Sequence, residues 1–77
     1  MAGLDIPQIR FGTAAVEKEF ISVDQLVEAI NVQLVEDVGG KPHRLIGEIL
    51  VDLGYMDQSQ VDEVLEEIEA RRKNQNT

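Results

Sequence analysis

The sequence predicts an all-α protein, with four helices arranged as two repeated short-long helical hairpins packed on each other. Three observations carry this prediction. No run of residues alternates apolar and polar with the period of two that a half-buried strand requires. Two segments, Ser22-Val-Asp-Gln25 and Asp57-Gln-Ser-Gln60, have the spacing of a helix capping box, in which the first side chain accepts from a backbone N–H three residues on and the fourth reaches back. The chain also repeats itself: residues 11–30 align with residues 46–65 at a constant offset of 35 without a gap. Gly12/Gly47, Val16/Val51, Gln25/Gln60 and Glu28/Glu63 are identical across that offset, and apolar residues match at Phe11/Ile46, Phe20/Tyr55, Ile21/Met56, Leu26/Val61, Ala29/Val64 and Ile30/Leu65.

The first helix is expected from near Pro7, a residue tolerated in a first turn, to Glu19. The second starts near Val23 behind the Ser22 cap. Its residues Val23, Leu26, Val27, Ile30 and Leu34 fall on one stripe of a 3.6-residue helix and are expected to face the core. Gly39-Gly40 stops it. The third helix is expected from about Pro42 to Leu53, with Gly54 as its C-terminal stop. The fourth starts near Gln58, and Val61, Val64, Leu65 and Ile68 form its stripe. Arg71, Arg72 and Lys73 then lie where a helix favours cations against its own dipole.

These limits give a lead-in at 1–9, a single helical domain at 10–74 made of repeats at about 10–38 and 43–74, and a tail at 75–77. Ala14 and Ala15 match Ile49 and Leu50, small against large, as two near-symmetric halves need in order to interdigitate. Packing of the repeats within one chain is therefore expected over a hairpin-swapped dimer.

Composition excludes several functions. The 77 residues hold no cysteine, hence no disulfide, thiolate nucleophile or cysteine-ligated zinc. Seven basic against fifteen acidic residues leave a net charge of −8, which repels nucleic acid polymers. Apolar runs are four residues or fewer, too short for a spanning helix, and residues 1–5 lack the basic opening of a signal peptide. The expectation is a cytoplasmic protein with no direct membrane insertion.

Against this background one stretch is distinctive. Arg10-Phe11-Gly12-x-x-Ala15-x-x-x-Glu19-x-Ile21-x-x-x-x-Leu26-x-x-x-Ile30-x-x-Gln33 resembles the motif Arg-Leu-Gly-x-x-Leu-x-x-x-Gly-x-Ile-x-x-x-x-Leu-x-x-x-Leu-x-x-Gln. That motif belongs to the N-terminal domain of the ATPases that drive type II secretion and type IV pilus assembly, and to stand-alone relatives of that domain. The second copy, from Ile46 through Gly47, Leu50, Gly54, Met56 and Val61 to Leu65, resembles it with a better Gly-x-x-Leu-x-x-x-Gly core. The resemblance implies a bacterial helical module that either docks a protein within a secretion machine or, in members with two good motifs, binds cyclic di-GMP. In the nucleotide-binding members the opening Arg and closing Gln contact guanine and phosphate. Carried over, these are Arg10 and Gln33. The second copy has Leu45 in place of the Arg, with Arg44 one residue early, and Ile68 in place of the Gln; the first has Glu19 for Gly and Ala15 for Leu.

The candidate nucleotide-binding residues are thus Arg10, Gln33 and Arg44. Arg10 and Arg44, the latter beside Lys41 and His43, lie near expected helix starts, where free N–H groups favour an anion. The preferred reading of both is pairing with surface acids such as Asp5 or Glu48 in an excess-acid chain. No metal site, cofactor or catalytic residue is expected. His43 stands alone as a histidine, and Gly39-Gly40-Lys41 lacks the earlier glycine and following Ser or Thr of a phosphate-binding loop. Ser22 and Ser59 have no local activating histidine, and the acids from Asp62 to Glu69 read as a solvated helix face. Phe11, Phe20, Tyr55 and Met56 read as core and turn plugs. The leading expectation is a non-enzymatic helical interaction module docking a protein partner through a surface suited to a basic face. The alternatives are a cyclic di-GMP receptor and a self-assembling homodimer.

Overall fold

The computed structural model describes residues 7–74, so the tail at 75–77 and most of the lead-in at 1–9 lie outside the described residues. Four helices follow one another: α1 (Pro7–Glu17), α2 (Val23–Val38), α3 (Ile46–Asp52) and α4 (Gln58–Asn74). Among the described residues there is no strand, and the class is all-α.

Local chemistry sets the helix starts. Gln25 N–H donates to Ser22 Oγ at 3.1 Å, and Ser22 N–H donates back to Gln25 Oε1 at 2.9 Å. Asp57 and Gln60 repeat the exchange: Gln60 N–H donates to Asp57 Oδ1 at 2.8 Å and Asp57 N–H to Gln60 Oε1 at 3.1 Å. Each pair satisfies N–H groups that a first turn leaves open.

The ends of α1 and α3 close in the same way. Phe20 N–H donates to the Ala15 carbonyl and Glu19 N–H to that of Val16; Tyr55 N–H donates to Leu50 and Gly54 N–H to Val51. This bonding requires a left-handed residue, which is Gly54 (φ 83°) in one turn and Glu19 (φ 65°) in the other. Left-handed backbone is strained for a residue with a Cβ. Glu19→Gly is therefore expected to raise stability by about 0.5–1 kcal/mol, and Gly54→Ala to lower it by a similar amount, both read from urea midpoints.

Two expected boundaries are corrected. The first helix ends at Glu17, two residues short of Glu19, because the turn needs Glu19 left-handed. The third begins at Ile46 and not at Pro42. Residues 41–45 run as a loop along α2, held there by Gln33 and Glu36, and Leu45 is extended (φ −75°, ψ 153°) with its N–H donating to Glu48 Oε1 at 2.9 Å.

Packing crosses between the hairpins. The long helix α2 lies mainly on the short α3, the long α4 mainly on the short α1, and α1 also meets α3; α1 and α2 touch less. The core between them holds Phe11, Ala14 and Ala15 of α1, Ala29 of α2, Ile46, Ile49 and Leu50 of α3 and Val61 and Val64 of α4, with Ile21 and Met56 plugging the turns. Ile46, Ile49, Leu50 and Val64 are the largest fully buried side chains, each worth about 1.5–3 kcal/mol of transfer free energy. Space for the crossings comes from small residues. Ala14, Ala15 and Ala29 have no exposed surface, and a Cβ on Gly12 would stand 2.4 Å from Leu26 Cδ1.

The apolar stripes divide differently from the expectation. On α2, Leu26 and Ile30 are half-buried and Ala29 is buried, while Val23, Val27 and Leu34 point outward. On α4, Val61 and Val64 are buried, Ile68 is half-buried and Leu65 is exposed. The reason is that nine of the sixteen residues of α2 are apolar, so its periodicity marks more than one apolar face. The small Ala29 lets α2 approach α3 closely and decides which face turns inward.

Candidate functional site

The residues singled out in the sequence do not form one pocket. Arg10 lies half-buried on α1, and its expected partner Asp5 is outside the described residues. Gln33 and Arg44 are brought together: Gln33 Nε2, on α2, donates to the Arg44 carbonyl at 2.7 Å. This bond ties the 41–45 loop to the helix.

The Arg44 side chain turns back onto α2. Its Nη2 and Nε fork onto Glu36 Oε2 and Oε1 at 2.7 and 3.1 Å, and its Nη1 reaches Asp52 Oδ2 at 3.4 Å. The partners are thus Glu36 and Asp52, in place of the expected Glu48, which caps α3. Hydrogen bonding from Arg44 holds the Glu36 carboxyl below its ordinary range, and the same bond pushes the Arg44 guanidinium up. An incoming phosphate would have to displace two carboxylates from this cation and then sit in their field. Beside the cluster, His43 Nδ1 lies 3.1 Å from both Asp37 carboxylate oxygens.

A second cross-link runs from turn to helix. Tyr55 Oη donates to Glu28 Oε1 at 2.6 Å, joining the turn before α4 to α2. The carboxylate beside it raises the phenol above its ordinary 10.0. A raised folded-state value means that the contribution is fully present below about pH 10 and is lost as pH rises through the folded value. Tyr55 is the one tyrosine in the chain, so its tyrosinate absorbance reports this group directly. Glu28→Gln is expected to bring its titration midpoint down toward 10.

The acids of α4 lie on an exposed face as expected, apart from the half-buried Glu67, and Glu63 and Glu67 also pair with cations. Lys18 Nζ lies 3.6 Å from Glu63 and 4.0 Å from Glu67, and Arg71 bridges Glu67 at 3.0 Å and Glu17 at 2.8 Å. Arg71 and Lys18 therefore clip α4 to α1. These are surface pairs, with Lys18 and Glu67 half-buried and the others exposed, and of small individual value. The Lys73 side chain, expected to serve the helix dipole, lies outside the described residues. Among the described residues no group of three or more His, Cys, Asp or Glu side chains could hold a metal ion, and no helix is long and apolar enough to cross a membrane.

Two apolar features face outward. Between α3 and α4 lies an open groove of about 520 Å³, floored by Phe11 and walled by Leu45, Val51, Val61 and Leu65 with Glu48 at its rim. On α2, Val23, Val27, Leu34, Val35 and Val38 are 48–81% exposed. Reading the residues as one core stripe missed this ridge. The signal for it was the excess of apolar residues on α2 over what one buried face needs.

No family model, curated protein or solved structure matches the chain.

Proposed function

We propose that this chain is a non-enzymatic helical interaction module that docks a protein partner with a basic face. The outward apolar ridge of α2 carries the reading: five large aliphatic side chains of a 77-residue chain remain in water on one helix, and contiguous exposed apolar surface on a small domain marks an interaction site. The net charge of −8 supplies attraction for a basic partner. A bacterial setting is what the resemblance to secretion and pilus ATPase N-terminal domains implies, and the cytoplasm is the compartment expected from the sequence. The engagement of Arg44 with Glu36 and Asp52 favours docking over cyclic di-GMP binding.

The test pairs two measurements on the full chain. Titrating cyclic di-GMP to about millimolar is expected to leave the backbone amide spectrum unchanged, and affinity capture from the source cell is expected to return a protein that Arg10→Ala still retains. Saturable shifts clustered at Arg10, Gln33 and Arg44, with loss of affinity in Arg10→Ala, would replace this reading with the nucleotide receptor.

A further inference from the structure

The ridge on α2 has a defined geometry. Val23, Val27, Leu34 and Val38 recur at spacings of 4, 7 and 4, so they lie on one face of the helix, and Val35 widens that face at its C-terminal half. At 1.5 Å per residue the ridge runs about 22 Å, four helical turns. Such a straight ridge matches the grooves of another helix lying nearly along it.

Charge decides what kind of helix. α2 carries Asp24, Glu28, Glu36 and Asp37 and no Lys or Arg. Glu36 is taken up by Arg44; Asp24, Glu28 and Asp37 are exposed, Glu28 keeping its charge while it accepts from the Tyr55 hydroxyl and Asp37 lying beside His43, and helical spacing places Asp24 and Glu28 along one border of the ridge and Asp37 along the other. Two copies of this face laid together would bring acidic borders against one another in chains of net charge −8. A basic border on the partner reverses that sign.

We infer that the outer face of α2 seats an amphipathic partner helix whose apolar ridge is bordered by Lys or Arg. This rests on the docking reading above and adds the surface and the chemistry of the partner to it. One helix against one helix is a small interface, so a dissociation constant on the order of 1–100 μM is expected.

The probe is a synthetic helical peptide with a leucine stripe bordered by lysines, titrated into the isotope-labelled full chain. Saturable amide shifts are expected along residues 23–38. Val27→Asp and Leu34→Asp should each weaken binding at least tenfold, whereas Leu65→Asp, in the α3–α4 groove, should leave it unchanged. A peptide with glutamates in place of the lysines should bind at least tenfold more weakly. All three substituted positions are exposed, and far-ultraviolet dichroism verifies that the variants stay folded.

Four results would overturn the inference. Equal binding of a lysine peptide with serine in place of leucine would reduce the effect to net charge; shifts in the groove that vanish in Leu65→Asp would move the site there; a dimer found by light scattering and abolished by Leu34→Asp would make a second copy the occupant; and no binding of the leucine-lysine peptide would remove the site altogether. Partner capture that persists alongside any of these would leave the docking reading standing and only the α2 site refuted.

Discussion

Leu50→Ala is expected to cost about 2–5 kcal/mol, the range for emptying a fully buried leucine site. Leu50 lies on α3, a helix of seven residues. A helix so short does not persist alone in water, because its nucleation cost is repaid only by packing. Ordinary domains are stable by about 5–15 kcal/mol, and a chain this short sits at or below the lower end. The loss therefore unfolds much of the population at room temperature or removes most of the margin. Urea titration followed by far-ultraviolet dichroism measures it, with Leu50→Met as the volume-conserving control, expected to cost under about 1.5 kcal/mol. A cost below about 1 kcal/mol for Leu50→Ala would mean that α3 is not the centre of the core.

Ala29→Leu tests the other decisive contact. Ala29 is the one fully buried residue of α2, on the helix that packs mainly on α3. Leucine and alanine have similar helix propensities, so the variant reports packing and not helix formation. Three added carbons in a space without exposed surface are expected to cost about 1–3 kcal/mol and to lower amide protection along residues 23–38. The matching measurement is Val27→Ala, whose side chain is 48% exposed and whose loss is expected to change stability by under about 0.5 kcal/mol. A helix turned with Val23, Val27 and Leu34 inward would reverse the two results. The pair thus fixes the rotation of α2 by experiment.

The candidate site was less legible than the fold. Gln33 and Arg44 were singled out and do meet, yet the bond that joins them runs from the Gln33 amide to the Arg44 backbone, and the guanidinium faces two carboxylates. Sequence distance hides this. Glu36 and Asp52 are each eight residues from Arg44, and only the path of the 41–45 loop along α2 brings them to it. The start of α3 differs from the expected one for the same reason: Pro42 can open a helix, but Gln33 and Glu36 hold the loop along α2 through Arg44. The Tyr55–Glu28 bond, across 27 residues, had no local signal at all.

Residues that act on near neighbours were readable before any fold was known. Ser22 with Gln25 and Asp57 with Gln60 open their helices through bonds of three residues' reach, and Gly54 closes α3 through its own backbone conformation. These contacts depend on local spacing alone, so the order and class of the helices follow from the chain. Which face of α2 is buried does not. Leu26 and Ala29 on one side and Val23, Val27 and Leu34 on the other satisfy the same helical period, and their hydrophobicity is non-directional. Tertiary packing made the choice, because the small Ala29, and Gly12 beneath Leu26, permit the closest approach of the helices. The face left outside is the apolar ridge of Val23, Val27 and Leu34.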